Sequence, residues 1–153
     1  LRAVARHRGI AIAIGSLAIR DPSADPLLAN RSILIATDGR IAARYDKMHL
    51  FDVDLPNGDR YRESASFLSG GRVQLADLAW GRLGLSICYD LRFPQLHAAL
   101  ALAGAEVIAQ PAAFTRPTGE AHWHVLLRAR AIETGAFIVA AAQTGCHEDG
   151  RET

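Results

Sequence analysis

The stretch GRLGLSICYDLRFPQL, residues 81–96, decides how the rest of the chain is read. Leu83-Gly84-Leu85-Ser86-Ile87 is a short apolar run of the kind that forms a buried strand, and Pro94 suits the first turn of a helix. Cys88 stands between them. A strand-to-helix turn exposes a nucleophile at the carboxyl edge of a sheet and can aim backbone N–H groups at a developing oxyanion. The plainer reading of Cys88 is a buried structural cysteine, which is common.

Working outward, strands are expected at about 72–77 and 82–87, a helix over 93–103 closed by Gly104, and another buried strand over 106–110. A helix over 120–134 is ended by Gly135, and 137–142 forms a last strand. Upstream, Leu1, Val4 and Ala5 share one face of a helical turn that Gly9 ends, so the chain is expected to have been cut from something longer. Residues 10–19 are a dense apolar run, and Asp21 to Asn30, with two prolines, reads as a loop before a strand over 32–37. Asp38-Gly39 predicts a two-residue hairpin turn with 40–45 as the returning strand, because such a turn needs positive backbone angles. From Asp46 to Gly71 Asp, Pro, Gly and Ser predominate without periodicity, which predicts a long irregular connection; loops of that length in compact domains are usually functional. The order of hairpins and strand–helix–strand units predicts a single α/β layered domain over 1–153, without repeats or linkers.

Composition narrows the function. The chain has 153 residues, 50% hydrophobic and 22% charged, with a formal net charge of +1. That balance provides no electrostatic footprint for nucleic acid or a membrane surface, so neither is expected as a partner. Apolar runs such as Ile10 to Ile14 and Phe137 to Ala142 fall far short of the roughly 20 residues that cross a bilayer. The first residues lack the continuous apolar region of a signal peptide. Two widely separated cysteines, Cys88 and Cys146, argue for a reducing compartment and a cytoplasmic location.

Among the other side chains able to do chemistry, Lys47 lies in YDKMHLF (45–51) between apolar and aromatic neighbours that suggest partial burial. A partly desolvated ammonium can hold a thiolate or an oxyanion, although a lone lysine is usually a solvated surface charge. Glu63, in Tyr61-Arg62-Glu63-Ser64, is the only glutamate between Lys47 and Cys88, and could equally be an exposed loop carboxylate. His122 and His124 flank Trp123, but positions two apart do not share a helix face, and nothing nearby completes a metal set. No metal or cofactor is expected. Gly70-Gly71 is a turn rather than a phosphate loop, since neither Lys-Ser/Thr nor a helix start follows it.

Taken together, YDKMHLFDVD, YRES, GRLGLSICYDLRFPQL and AGAEVIAQPAAFTRPTGEAHWHVLLRARAIETGAFIVAAAQ resemble the nitrilase superfamily of carbon–nitrogen hydrolases. The likeness runs from about Ile10 onward and is closest to the branch of deaminated-glutathione amidases and omega-amidases. It implies an αββα sandwich, here truncated at both ends, and a Glu-Lys-Cys triad in which Lys47 and Cys88 match the lysine and the cysteine. Glu63 matches a second, auxiliary glutamate. The resemblance places the triad's own glutamate, the general base, upstream of Leu1 and further strands beyond the Gln143 region. The isolated chain is therefore expected to be inactive and poorly soluble.

The reaction the resemblance implies is ammonia release from a small carboxylate-bearing amide through a thioester on Cys88. The Tyr89 N–H and Lys47 would hold the oxyanion, while Arg92 and Phe114 are candidates for substrate binding, Arg92 because a guanidinium pairs bidentately with a carboxylate. A homodimer or higher homo-oligomer is also implied. Gln95 and His124 depart from the family pattern, which usually has glutamate at both places. Two rivals remain open: a Cys-His hydrolase using His49 or His122, which lacks a recognisable orienting Asn or Asp, and an inactive fragment serving as an assembly partner.

Overall fold

The structure, a computed structural model, describes residues 1–22, 25–55, 58–148 and 150–153. The chain divides into two compact units, Leu1–Arg72 and Val73–Thr153.

In the first unit, α1 (Arg2–Arg8) is closed by Gly9 in the left-handed conformation. The strands β1 (Ile12–Arg20), β2 (Leu28–Ile35) and β3 (Ile41–Asp46) then form an antiparallel sheet in that order. β2 begins four residues before the expected position 32, inside the stretch read as a loop. Its start is held by pairing on both sides: Leu28, Ala29 and Asn30 oppose Arg20, Ile19 and Ala18 of β1, and Leu28–Ala29 run parallel to a later strand. Cross-strand pairing of this kind overrides local propensity.

The turn between β2 and β3 also differs from the two-residue expectation. The Ala36 N–H donates to Arg40 O and the Gly39 N–H to Ala36 O, which closes a three-residue loop, Thr37 to Gly39, with Gly39 at φ 81°. This is the turn-plus-bulge hairpin that needs a residue with positive φ at its last position. A side chain at position 39 would also lie 2.5 Å from Arg2 O, since α1 rests on this turn through Arg2 Nε donating to Gly39 O.

The segment expected to be irregular, 46–71, carries further structure. β4 (Asp52–Asp54) and β5 (Arg60–Arg62) form a two-stranded antiparallel ribbon, a 3-10 turn spans Glu63–Ala65, and β6 (Phe67–Leu68) is the strand that pairs with β2. These pieces are two or three residues long, too short to show a period in sequence.

In the second unit β7 (Leu75–Leu78) and β8 (Gly81–Leu85) are antiparallel. A 3-10 turn over Cys88–Arg92 leads into α2 (Pro94–Leu102), β9 (Val107–Ala109), α3 (Arg116–Thr134) and β10 (Phe137–Val139). The sheet order is β10-β9-β8-β7, with β8, β9 and β10 mutually parallel, as two strand–helix–strand crossovers require. α3 starts at Arg116, four residues before the expected 120. Pro117 is tolerated in the first helical turn, and Arg116 is anchored there by Glu152, whose backbone O accepts its N–H and whose carboxylate takes its guanidinium at 2.9 Å. β10 is shorter than the expected 137–142, and an isolated bridge, Ala112 to Ala142, continues its direction.

The parallel neighbours β8 and β9 bring their carboxyl ends side by side. Beyond the strands the pairing persists: the Ser86 N–H donates to Ala109 O and the Cys88 N–H to Pro111 O at 2.8 Å. Ligands of parallel α/β sheets bind at such carboxyl ends.

Candidate active site

In the first unit Lys47 follows the last residue of β3 and is buried. Its backbone is held on both sides, the N–H donating to Asn30 O and the carbonyl accepting from Gly70 N–H. Gly70 approaches so closely that a Cβ there would lie 2.1 Å from Asp46 O. The ammonium donates to Glu63 Oε2 at 2.5 Å. Glu63 Oε2 also accepts from Phe51 N–H at 2.7 Å, and its Oε1 from Asn30 Nδ2 at 2.8 Å. Both carboxylate oxygens are thus committed to fixed donors, which suits Glu63 to steering the ammonium rather than to taking protons from water. Asn30 Oδ1 is buried beside this group without a hydrogen-bond partner among the described residues.

In the second unit Cys88 opens the 3-10 turn at φ 48°, the one positive φ at a non-glycine residue among the described residues. Strained backbone of this type costs of order 1–3 kcal/mol and persists only where the surroundings over-determine it. Here they do. The fully buried Asp90 accepts the Ile87 N–H on Oδ2 at 2.9 Å, and the Asp90 N–H returns to Ile87 O at 3.0 Å. From α3, the buried Arg130 donates through Nε to Leu91 O at 3.0 Å. Cys88 itself is half-buried, is not in a disulfide, and packs against Leu91, Ala112 and Phe114.

Behind the turn is a buried polar network. Gln110, just past β9, donates from Nε2 to Cys88 O at 3.1 Å, while its Oε1 lies 2.7 Å from Ser86 Oγ and 3.3 Å from His97 Nε2. His97 Nδ1 is 3.2 Å from Phe93 O. Burial holds the His97 pKa below the ordinary histidine value, and the neutral ring this favours carries one N–H, which donates to one of these two oxygens.

Arg92 projects from the same turn. Its guanidinium lies 5.8 Å from the Tyr89 ring centre and 5.4 Å from that of Phe114, within cation–π range. The His122 Nδ1 accepts from it at 3.4 Å. Among the described residues Arg92 makes no ion pair with a carboxylate, which leaves a cation on an aromatic platform able to take an anionic group. Phe114 packs on Trp123 at 4.8 Å and borders a cleft of about 580 Å³ along α3, with His124 and Gln143 also on its wall.

Of the residues singled out in the sequence, Lys47 and Glu63 are in contact within the first unit. Cys88, Tyr89, Arg92 and Phe114 form one group within the second. The reading of the sequence missed Asn30, Asp90, Gln110 and Arg130. Asp90, within CYDLRF, had a signal, since an acidic residue three after a strand end can close a turn on the backbone. Gln110 and Asn30 had none: Gln110 stands at the end of an apolar run, and Asn30 at the end of the stretch read as a loop.

The carbon–nitrogen hydrolase family model matches residues 1–153. The chain belongs to the carbon–nitrogen hydrolase family. Among its relatives, the chain is 49% identical to a deaminated glutathione amidase of Yersinia enterocolitica, over all of this chain and 54% of that protein. Its fold is that of the nitrilase superfamily. It superposes on the crystal structure of NitFhit from Caenorhabditis elegans, the fusion of a nitrilase with a fragile histidine triad protein, with a TM-score of 0.90 and 44% identity. That match covers 99% of this chain and 37% of the other. An amidase of Nesterenkonia sp. AN1, described with acrylamide added to its active-site cysteine, matches at a TM-score of 0.80 and 30% identity over 99% of this chain and 55% of its own. The chain thus spans about half the length of the curated relatives it matches. No helix among its described residues is long and apolar enough to cross a membrane.

Proposed function

We propose that the full-length protein carrying this chain is a cysteine amidase that releases ammonia from a small carboxylate-bearing amide, of the deaminated-glutathione or omega-amide type. The observation that carries this reading is Cys88 in left-handed backbone at the carboxyl end of β8, braced by Asp90, Gln110 and Arg130. The name of the Yersinia relative supports the substrate class.

In the proposed reaction, the Cys88 sulfur attacks the amide carbonyl carbon and the oxygen becomes an oxyanion. The oxyanion collapses as the C–N bond breaks and ammonia leaves with a proton from the general acid. Water then adds to the thioester, and the C–S bond breaks to release the carboxylic acid and restore the thiol. A free cysteine is only a few per cent thiolate at neutral pH, so a base is required. The family pattern assigns it to a glutamate outside this sequence, with Lys47 as the cation of the triad and Glu63 as its tether. Tyr89 supplies a backbone N–H to the oxyanion, and Arg92 on Phe114 receives the substrate carboxylate. The rival Cys-His reading is weakened because His122 turns its Nδ1 to Arg92.

Residues 1–153 are taken as part of one catalytic domain. A homodimer or higher oligomer fits the outer face of α3, where Val125 and Ile132, two turns apart, are exposed. Two cysteines outside any disulfide fit a cytoplasmic location. The test is ammonia release by the full-length protein from a panel of deaminated glutathione, omega-amides and neutral amides. Cys88→Ser should remove turnover and leave the fold intact, whereas Cys146→Ser should be silent. Turnover retained in Cys88→Ser would sink the assignment.

A further inference from the structure

The buried Gln110 side chain reaches the backbone of the nucleophile, and its contact has a stereochemical consequence. Among the described residues the only cis peptide bond is Asp25-Pro26, so the bond between Cys88 and Tyr89 is trans. The Cys88 carbonyl and the Tyr89 N–H therefore belong to one rigid plane and point in opposite directions. Whatever fixes the carbonyl fixes the N–H.

Gln110 fixes the carbonyl with its Nε2 at 3.1 Å. A carbonyl oxygen can only accept, so the amide nitrogen of Gln110 must face it, and the amide oxygen must face Ser86 Oγ at 2.7 Å. Gln110, Ser86 and His97 are each fully buried, so water does not substitute for these contacts. The backbone at Cys88, at φ 48°, is one that a non-glycine residue leaves readily when unsupported. A flip of this plane would turn the Tyr89 N–H away and present a carbonyl oxygen in its place.

We propose that Gln110 is a positioning residue for the amidase reaction: by holding the Cys88 carbonyl from behind, it locks the peptide plane whose other edge, the Tyr89 N–H, stabilises the oxyanion. This inference rests on the proposed cysteine chemistry but not on the identity of the amide. It distinguishes Gln110 from a residue that merely packs, because the thiol and the oxyanion donor should respond differently to its loss.

The test uses the full-length protein, wild type and Gln110→Met, which keeps the side chain's length and removes both polar atoms, with Gln110→Glu as the conservative partner. Two readouts need no turnover. Alkylation of Cys88 by iodoacetamide displaces iodide from carbon and builds no oxyanion, so it reports the thiol alone. A small aliphatic aldehyde adds reversibly, the sulfur bonding to the carbonyl carbon and the thiol proton passing to its oxygen, which then sits at the oxyanion position; protection from alkylation measures its affinity. Removing an oxyanion donor is worth about 10²–10³-fold in kcat, so a loosened one should weaken aldehyde protection by at least about tenfold in Gln110→Met. Alkylation without aldehyde should change by less than about threefold, and kcat for the amide should fall with aldehyde affinity while KM holds. Gln110→Glu should regain protection as the pH is lowered and its carboxyl becomes a donor again. Unchanged aldehyde affinity, or parallel losses in alkylation and protection, would overturn the proposal. A wild-type protein that shows the Gln110-dependent protection yet releases no ammonia would reject the amidase reading while leaving Gln110's role standing.

Discussion

Replacing Glu63 by Gln removes one charge from a buried pair without changing its shape, and the outcome follows from the contacts of its two oxygens. The side chains of Lys47 and Glu63 are 3% and 11% exposed, and Nζ lies 2.5 Å from Oε2. Coulomb's law at that separation, with an effective dielectric near 20, gives an attraction of about 6–7 kcal/mol. Part of it is retained. The carboxamide oxygen at the Oε2 position still accepts from Lys47 and from Phe51 N–H, now 2.7 Å away. The amide nitrogen would meet Asn30 Nδ2, but rotating the Asn30 amide brings its unpartnered Oδ1 round to accept. What is lost is the counter-charge of a buried ammonium, and breaking such a pair costs about 3–5 kcal/mol. We expect the lower end, about 3 kcal/mol, for Glu63→Gln and the upper end for Glu63→Leu, which also strands three donors.

The assay is equilibrium urea unfolding of the full-length protein at fixed pH, with Lys47→Met completing a double-mutant cycle. Because an apolar pair of similar volume can replace a buried ion pair nearly neutrally, Lys47→Met with Glu63→Leu should be less destabilised than the separate losses together by at least about 2 kcal/mol. A loss below about 1 kcal/mol for Glu63→Gln, together with no coupling in the cycle, would show that the pair is solvated and contributes little.

Arg92→Ala should raise KM for amides bearing a free carboxylate by about 10-fold or more, the worth of one charge-assisted contact, while neutral analogues change little; equal losses for both classes would make Arg92 a structural brace. For His97, whose folded-state pKa is depressed by burial, the unfolded chain binds more protons below the ordinary histidine value of 6.5. Stability from the neutral ring is therefore full above that pH and is lost as the pH falls toward the depressed folded value, by up to about 1.4 kcal/mol per pH unit. Urea midpoints between pH 7.5 and 5.5 should fall less in His97→Gln than in the wild type, and identical slopes would show that the ring titrates freely.

The candidate nucleophile and lysine, and the places where the helices stop, were legible in the sequence. Cys88 between an apolar run and Pro94, Lys47 within YDKMHLF, and the glycines that stop α1 and α3 are local signals, set by backbone freedom and side-chain type within a few residues. The first turn of α3 was hidden because Pro117 and Gly119 read as breakers, and the contact that anchors it, Arg116 to Glu152, spans 36 residues. β5, β6 and the turn bearing Glu63 were hidden for a related reason: their hydrogen bonds go to partners elsewhere in the chain and leave no period behind. The closing of Glu63 on Lys47, 16 residues away, and the reach of Gln110 back 22 residues to the carbonyl of Cys88 came from the folded chain alone. A candidate nucleophile stands out from its own neighbourhood in the chain. The groups that hold its backbone are recruited by the fold, since a buried donor must find an acceptor wherever the pairing of strands brings one.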